Sequence, residues 1–291
     1  MMKVRDSRLF ASFYVSSTPG KHPGIIVLGG SDGGIEPATT TAALLAEQGY
    51  AALALAYFRF EQLPQKLEEI PLEYFKQAID WMSANPTVES SRIGLMGTSK
   101  GGEAALLVSA TYPEIKAVVA YVPSHVVFQS VPKSSFRKPT AKSSWTLQSK
   151  PVPFVPFRYN LRLILRHGFL LGLYLGGLQD QEAEERAIIP VERINGPILL
   201  ISGKEDAVWP SSMMCTRVTE RLTQYNFGFP FQHLSYDMAG HVTSGPRQAM
   251  EARPPTHGRR PYLGGTKTGN ALAKDDAWAK ACDFLKQHLK Q

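Results

Sequence analysis

Short, almost wholly apolar runs recur along the chain at Ile25-Ile26-Val27-Leu28, Ala51-Ala52-Leu53-Ala54-Leu55, Ile93-Gly94-Leu95-Met96, Ala117-Val118-Val119-Ala120 and Ile198-Leu199-Leu200-Ile201. Unbroken apolar runs of this length predict strands buried on both faces, the environment of a parallel sheet. Helical patterns separate them: Thr40 to Gln48, closed by Gly49; Leu72 to Ala84, closed near Asn85-Pro86; Gly102 to Tyr112, followed by Pro113; and Met213 to Tyr225. Strand and helix in alternation predict a doubly wound, mostly parallel sheet. Reactive groups then belong on loops at the carboxyl ends of the strands.

The alternation fails from about Ser124 to Arg193, where Pro, Lys and Ser give way to a leucine-rich stretch. A long irregular stretch inside a compact domain is usually functional or disordered, and here it predicts a cap inserted over the site at about 124–193. A second irregular stretch, Val242 to Leu272, precedes a final amphipathic helix predicted from Lys274 to Leu289. The chain has 291 residues, 43% of them hydrophobic and 20% charged, which suits one α/β domain over residues 1–291. Cys215 and Cys282 fit neither a disulfide framework nor a metal motif and indicate a reducing compartment. No signal peptide is evident, because Leu9 to Val15 alternates apolar with polar. The most hydrophobic stretch, Leu161 to Leu178, is interrupted by Arg162, Arg166 and His167, so a soluble protein is expected.

The formal net charge is +7, and one segment carries the imbalance. Between Val131 and Leu170 lie Lys133, Arg137, Lys138, Lys142, Lys150, Arg158, Arg162 and Arg166, with no Asp or Glu. Such a patch serves nucleic acid, an anionic membrane or a phosphorylated small substrate, or is a solvated basic loop; the last weighs as much as the first three together. If the stretch is helical, Arg158, Arg162 and Arg166 share one face by their fourfold spacing. They are then candidates for binding substrate phosphates.

Chemistry enters at Gly97-Thr98-Ser99-Lys100-Gly101, between an apolar strand and a helical run. That is the setting of a nucleophile elbow, in which flanking glycines let the backbone turn sharply and lift the serine hydroxyl above the sheet. A serine nucleophile needs a base, and the base needs a group to fix its tautomer. After the strand Ile198 to Ser202, the loop Gly203-Lys204-Glu205-Asp206 offers Asp206, with Glu205 as the less favoured competitor. The last predicted strand, Gln232 to Tyr236, leads into Asp237-Met238-Ala239-Gly240-His241. The order Ser99, Asp206, His241 is that of α/β-hydrolases. His125 falls between nucleophile and acid, the wrong order for the base, although it is placed to line the active-site pocket. His22, His167, His233, His257 and His288 read as surface or packing residues. Oxyanion donors are expected from the N–H of Lys100 and from the glycine-rich loop Leu28 to Gly34, where Gly30 or Ser31 is the choice. That loop matches neither dinucleotide nor P-loop spacing, and no cluster has metal-ligand spacing.

These pieces, with Leu53 to Tyr57, Leu63-Pro64 onward through Pro71-Leu72-Glu73-Tyr74-Phe75, Ser99-Lys100-Gly101-Gly102-Glu103, Ile189 to Arg193, Asp206 to Trp209, Gly240-His241 and Asp276-Ala277-Trp278, resemble the acyl-CoA thioesterase and bile acid-CoA:amino acid N-acyltransferase family. The family is related to dienelactone hydrolases. The resemblance implies an α/β-hydrolase fold and a nucleophile, acid and base at Ser99, Asp206 and His241. In that family Cys tends to accompany transfer to an amino acid and Ser hydrolysis, so Ser99 favours the thioesterase. A carboxylester or lactone hydrolase and an N-acyltransferase are the rival readings. Longer animal relatives carry an N-terminal β-sandwich domain where this chain has a short segment, and its substrate contacts are expected to be absent. The C-terminal Leu289-Lys290-Gln291 is not a peroxisomal address of the S-K-L type, which favours the cytoplasm. The expected partner is a small acyl-CoA or ester substrate, with no cofactor, no metal, no nucleic acid and no stable membrane insertion.

Overall fold

The computed structural model describes residues 1–6, 9–131, 141–245 and 263–290. Its main sheet has eight strands in the order β1-β2-β4-β3-β6-β7-β10-β11. These are β1 (Met2–Asp6), β2 (Leu9–Val15), β3 (His22–Leu28), β4 (Ala51–Leu55), β6 (Val88–Thr98), β7 (Ile115–Tyr121), β10 (Ile198–Gly203) and β11 (Phe231–Tyr236). From β4 to β11 neighbours run parallel, while β2 pairs antiparallel with both β1 and β4. A small second sheet joins β5 (Ile70–Pro71), β8 (Trp145–Leu147) and β9 (Lys150–Pro151).

Side chains alternate across a strand, so each apolar run supplies two cores at once. Ile26, Leu28, Leu95, Val118, Ile198 and Leu200 face α2 (Leu72–Ala84), α3 (Lys100–Thr111) and α7 (Ser211–Gln224). Ile25, Val27, Met96, Val119, Leu199 and Ile201 face α1 (Glu36–Glu47) and α8 (Lys267–Leu289). A polar residue at any of these positions would be buried on one face or the other, which is why the runs are unbroken.

Four helices start earlier than the sequence pattern predicts, α3 and α7 by a fraction of a turn and two others by a turn or more. α1 begins at Glu36 rather than Thr40, with a proline in its first turn, where a missing N–H costs nothing. α8 begins at Lys267 rather than Lys274, its cap supplied by the Thr266 side chain accepting from Gly269 N–H.

Between β7 and β10 the chain leaves the sheet and forms β8, β9 and three short helices, α4 (Leu161–His167), α5 (Phe169–Gly177) and α6 (Gln181–Ala187). A third cluster of Val126, Phe128, Val155, Tyr174, Trp209 and Met214 roots this insertion on the body. Arg158 precedes α4, whose cap is Asn160 accepting from Arg162 and Leu163 N–H, so the fourfold arginine spacing is helical only for Arg162 and Arg166. The basic segment is also partly met by acids from elsewhere in the chain: Lys142 pairs with Glu68 and Glu69, and Arg158 with Asp180. Lys133, Arg137 and Lys138 lie outside the described residues, as does His257. No described helix is long and apolar enough to cross a membrane.

Candidate active site

Ser99 sits between β6 and α3 with φ 56° and ψ −120°. The left-handed φ of the elbow thus falls on the serine itself, where it is strained, and not on its glycines. The glycines answer to closeness instead. A Cβ on Gly97 would lie 2.0 Å from the Gly101 carbonyl oxygen, and one on Gly101 would lie 2.2 Å from that of Gly29. The turn is therefore pressed directly against the loop that follows β3.

In that loop, a Cβ on Gly30 would lie 3.3 Å from the Thr98 carbonyl oxygen and 4.0 Å from the Ser99 hydroxyl. The loop is held from beneath by buried Tyr57, whose hydroxyl donates to the Gly29 carbonyl at 2.6 Å. Gly30 stands next to Ser99, the half-buried Ser31 follows it in the loop, and Lys100 N–H opens the helix immediately after the serine.

Asp206 follows β10 in the loop the sequence indicates. Its Oδ1 accepts from Val208 N–H at 2.9 Å and Trp209 N–H at 3.3 Å, which turns Oδ2 toward His241. His241 Nδ1 donates to that oxygen at 2.8 Å, and Nε2 lies 2.9 Å from Ser99 Oγ. A carboxylate only accepts, so the bond to Asp206 places the proton on Nδ1 and leaves Nε2 free to accept from the serine. Asp206 and Ser99 are both buried, while the Glu205 side chain is exposed and takes no part. The histidine loop is clamped by the last stretch of the chain: His241 N–H donates to Leu263 O at 2.8 Å, and Gly240 N–H to Asn270 Oδ1 at 2.8 Å.

Sequence reasoning misses much of the support. Trp209 meets the His241 ring edge-on at 5.8 Å and donates its indole N–H to the carbonyl of Val122, a β-branched residue held at φ 41°. Beneath the elbow, the fully buried Lys100 ammonium pairs with Glu103 at 2.6 Å and donates to Phe128 O at 3.1 Å. Glu103 also accepts from Trp145 Nε1 at 2.8 Å and from Phe128 N–H at 3.3 Å. Burial pushes the Lys100 ammonium down and the Glu103 carboxyl up, and their ion pair opposes both. Both Trp209 and Glu103 lie in runs that carry the family resemblance, and that was the signal available for them. Asn270 gave none.

His125 does not reach this site. It hydrogen-bonds Glu184 at 2.7 Å beside Arg217 and lines a cavity of about 470 Å³ whose wall includes none of Ser99, Asp206 or His241. His233 bonds Ser202 and His22 bonds Thr18 O, as packing residues do. Arg162 and Arg166 are exposed on α4, and the contacts joining α4 to the site run through Ile164, Gly172, Tyr174 and Trp209, not through the arginines.

A family model described as BAAT / acyl-CoA thioester hydrolase C terminal matches residues 70–291. The chain is 29% identical to acyl-coenzyme A amino acid N-acyltransferase 2 of Mus musculus over 99% of its own length and 66% of that protein. It is 30% identical to the mitochondrial acyl-coenzyme A thioesterase 2 of Mus musculus over 98% of its length and 60% of that protein. It thus spans less than two thirds of these relatives. Among solved structures, a dienelactone hydrolase-like promiscuous phosphotriesterase from metagenomic libraries superposes with a TM-score of 0.58 at 16% identity, covering 96% of this chain and 92% of that one. That likeness is one of fold, the α/β-hydrolase fold.

Proposed function

The chain belongs to the BAAT / acyl-CoA thioester hydrolase C-terminal family, and from that premise we propose that it hydrolyses acyl thioesters of coenzyme A through an acyl-serine intermediate. The observation that carries the reading is the continuous relay from Asp206 through His241 to Ser99, at 2.8 and 2.9 Å. In the proposed reaction Ser99 Oγ attacks the thioester carbonyl while His241 Nε2 takes its proton, and Asp206 holds the imidazole and stabilises its cation. The oxyanion accepts from Lys100 N–H and from Gly30 or Ser31 N–H. Collapse breaks the C–S bond, and His241 returns the proton to the leaving thiolate. Water, activated by His241, then attacks the acyl-enzyme and releases the acid.

Similarity to an N-acyltransferase supports a second reading, in which a bound amine replaces water. The serine nucleophile favours hydrolysis. Incubation with acyl-CoA and millimolar glycine or taurine, followed by mass spectrometry, separates the two. Free acid as the main product is expected. An N-acyl amino acid whose yield rises with amine concentration would overturn hydrolysis in favour of transfer. A parallel panel of simple esters tests the carboxylester or lactone hydrolase reading, which requires esters to turn over faster than thioesters.

A further inference from the structure

The outer face of α4 has no place in the proposed reaction, and its composition is unusual for a solvated surface. Tyr159 is 70% exposed, Leu161 57% and Leu165 78%. Leu161 and Leu165 are one turn apart, and so are the exposed Arg162 and Arg166 beside them, giving adjacent apolar and cationic stripes. Neither arginine has a salt bridge among the described residues, and the chain has no acidic residue from Ile115 to Gln179. The opposite face of α4 is fixed in place. A Cβ on Gly172 of α5 would lie 2.7 Å from Ile164 Cα, so the two helices touch at the backbone. On the far side of α5, Tyr174 packs on Trp209 at 5.3 Å. The exposed stripes therefore sit on a braced element whose inner end reaches the neighbourhood of His241.

We propose that the α4 face is a docking surface for an anionic lipid bilayer, with Tyr159, Leu161 and Leu165 entering the interface and Arg162 and Arg166 meeting the headgroups. Apolar side chains interleaved with arginines are what a peripheral interfacial helix presents, and the charge selects an anionic partner. A second copy of this chain is disfavoured, because a two-fold contact on this face would set arginine against arginine, and neither Arg162 nor Arg166 has an acid partner among the described residues. Free coenzyme A phosphates would satisfy the arginines but would leave the leucines in water. Docking differs from insertion, and the surface holds whichever chemistry Ser99 performs.

Co-sedimentation with sucrose-loaded vesicles tests this. With vesicles of phosphatidylcholine containing roughly one third phosphatidylserine, the wild-type protein is expected to sediment; with phosphatidylcholine alone, binding falls roughly tenfold. Leu161→Ser and Leu165→Ser should each weaken anionic binding by roughly tenfold. Both should keep wild-type turnover of a short, water-soluble nitrophenyl ester, which certifies the fold. Arg162→Gln with Arg166→Gln should erase the preference for anionic vesicles. The proposal would be overturned by equal sedimentation with neutral and anionic vesicles, by leucine variants that bind like wild type, or by a concentration-dependent dimer that Leu165→Ser dissolves without any vesicle binding. An arginine double variant whose change is confined to a raised KM for acyl-CoA without vesicles would return the arginines to the substrate and also overturn it.

Discussion

At the scale of single residues, the candidate site separates the members of the proposed relay from the groups that hold them. Ser99→Ala or His241→Ala is expected to lower kcat by at least ~10³-fold, since members of such a relay act as a unit. Asp206→Asn should be far more damaging than Glu205→Gln, because Oδ2 alone meets the imidazole and Glu205 faces solvent. Turnover of one good substrate across the four variants ranks them, and the reverse order for the two acids would reassign the role. Glu103 is the contrasting case. It accepts from Lys100, Trp145 and Phe128 in full burial, so Glu103→Ala leaves the Lys100 ammonium without its counter-charge and the Trp145 indole N–H and Phe128 N–H without an acceptor. A loss of about 3–5 kcal/mol is expected for a broken buried pair, read from the urea midpoint. The double change Lys100→Met with Glu103→Leu should recover much of it, because removing both charges removes both desolvation costs.

At the scale of elements, the elbow is built from three backbone segments in contact, and Gly101 lies where α3 meets the loop after β3. Gly101→Ala places a methyl 2.2 Å from the Gly29 oxygen, which pushes α3 away from the loop that stands beside Ser99. A drop in kcat of about 100-fold is expected for displacement on that scale, with KM little changed; an unaltered kcat would mean that the loop follows the helix. Elements whose own residues suffice were legible in the sequence: β4 and α2 fall where the apolar patterns place them. Starts set by tertiary contact were not. Gly269 weakens the pattern at the start of α8, yet it is required there because a Cβ would lie 2.3 Å from Met238 O in the histidine loop. The insertion was legible as a break in alternation and no further, since helices of two turns and strands of two or three residues are too short for a period to register. Likewise the order Ser99, Asp206, His241 could be read from spacing, whereas the Glu103 hub joins residues whose nearness comes from the fold alone.

At the scale of the whole molecule, stability should depend on acidity through histidines buried as neutral rings. Burial, with the Arg217 cation next to it, pushes His125 down to about 3; burial lowers His233 as well. An unfolded histidine titrates at its ordinary value of about 6.5, so below that the unfolded chain binds protons that the folded chain refuses. Stability is then complete above about pH 6.5 and declines as pH falls toward about 3, with about 2 kcal/mol lost to His125 alone by about pH 5. Urea midpoints at about pH 7.5 and about pH 5 measure this, and His125→Asn should flatten the slope in part, leaving the share of His233. The clamp on the histidine loop has a consequence of another kind, in the order of synthesis. A ribosome delivers Ser99 before Asp206 and His241, but Leu263 and Asn270, which seat the histidine, come after all three. A nascent or truncated chain that stops short of Leu263 therefore owns the whole proposed relay and still lacks the socket for one of its members. On the proposed mechanism, turnover waits for synthesis to pass Asn270, so a copy cut short of that point is silent rather than indiscriminate.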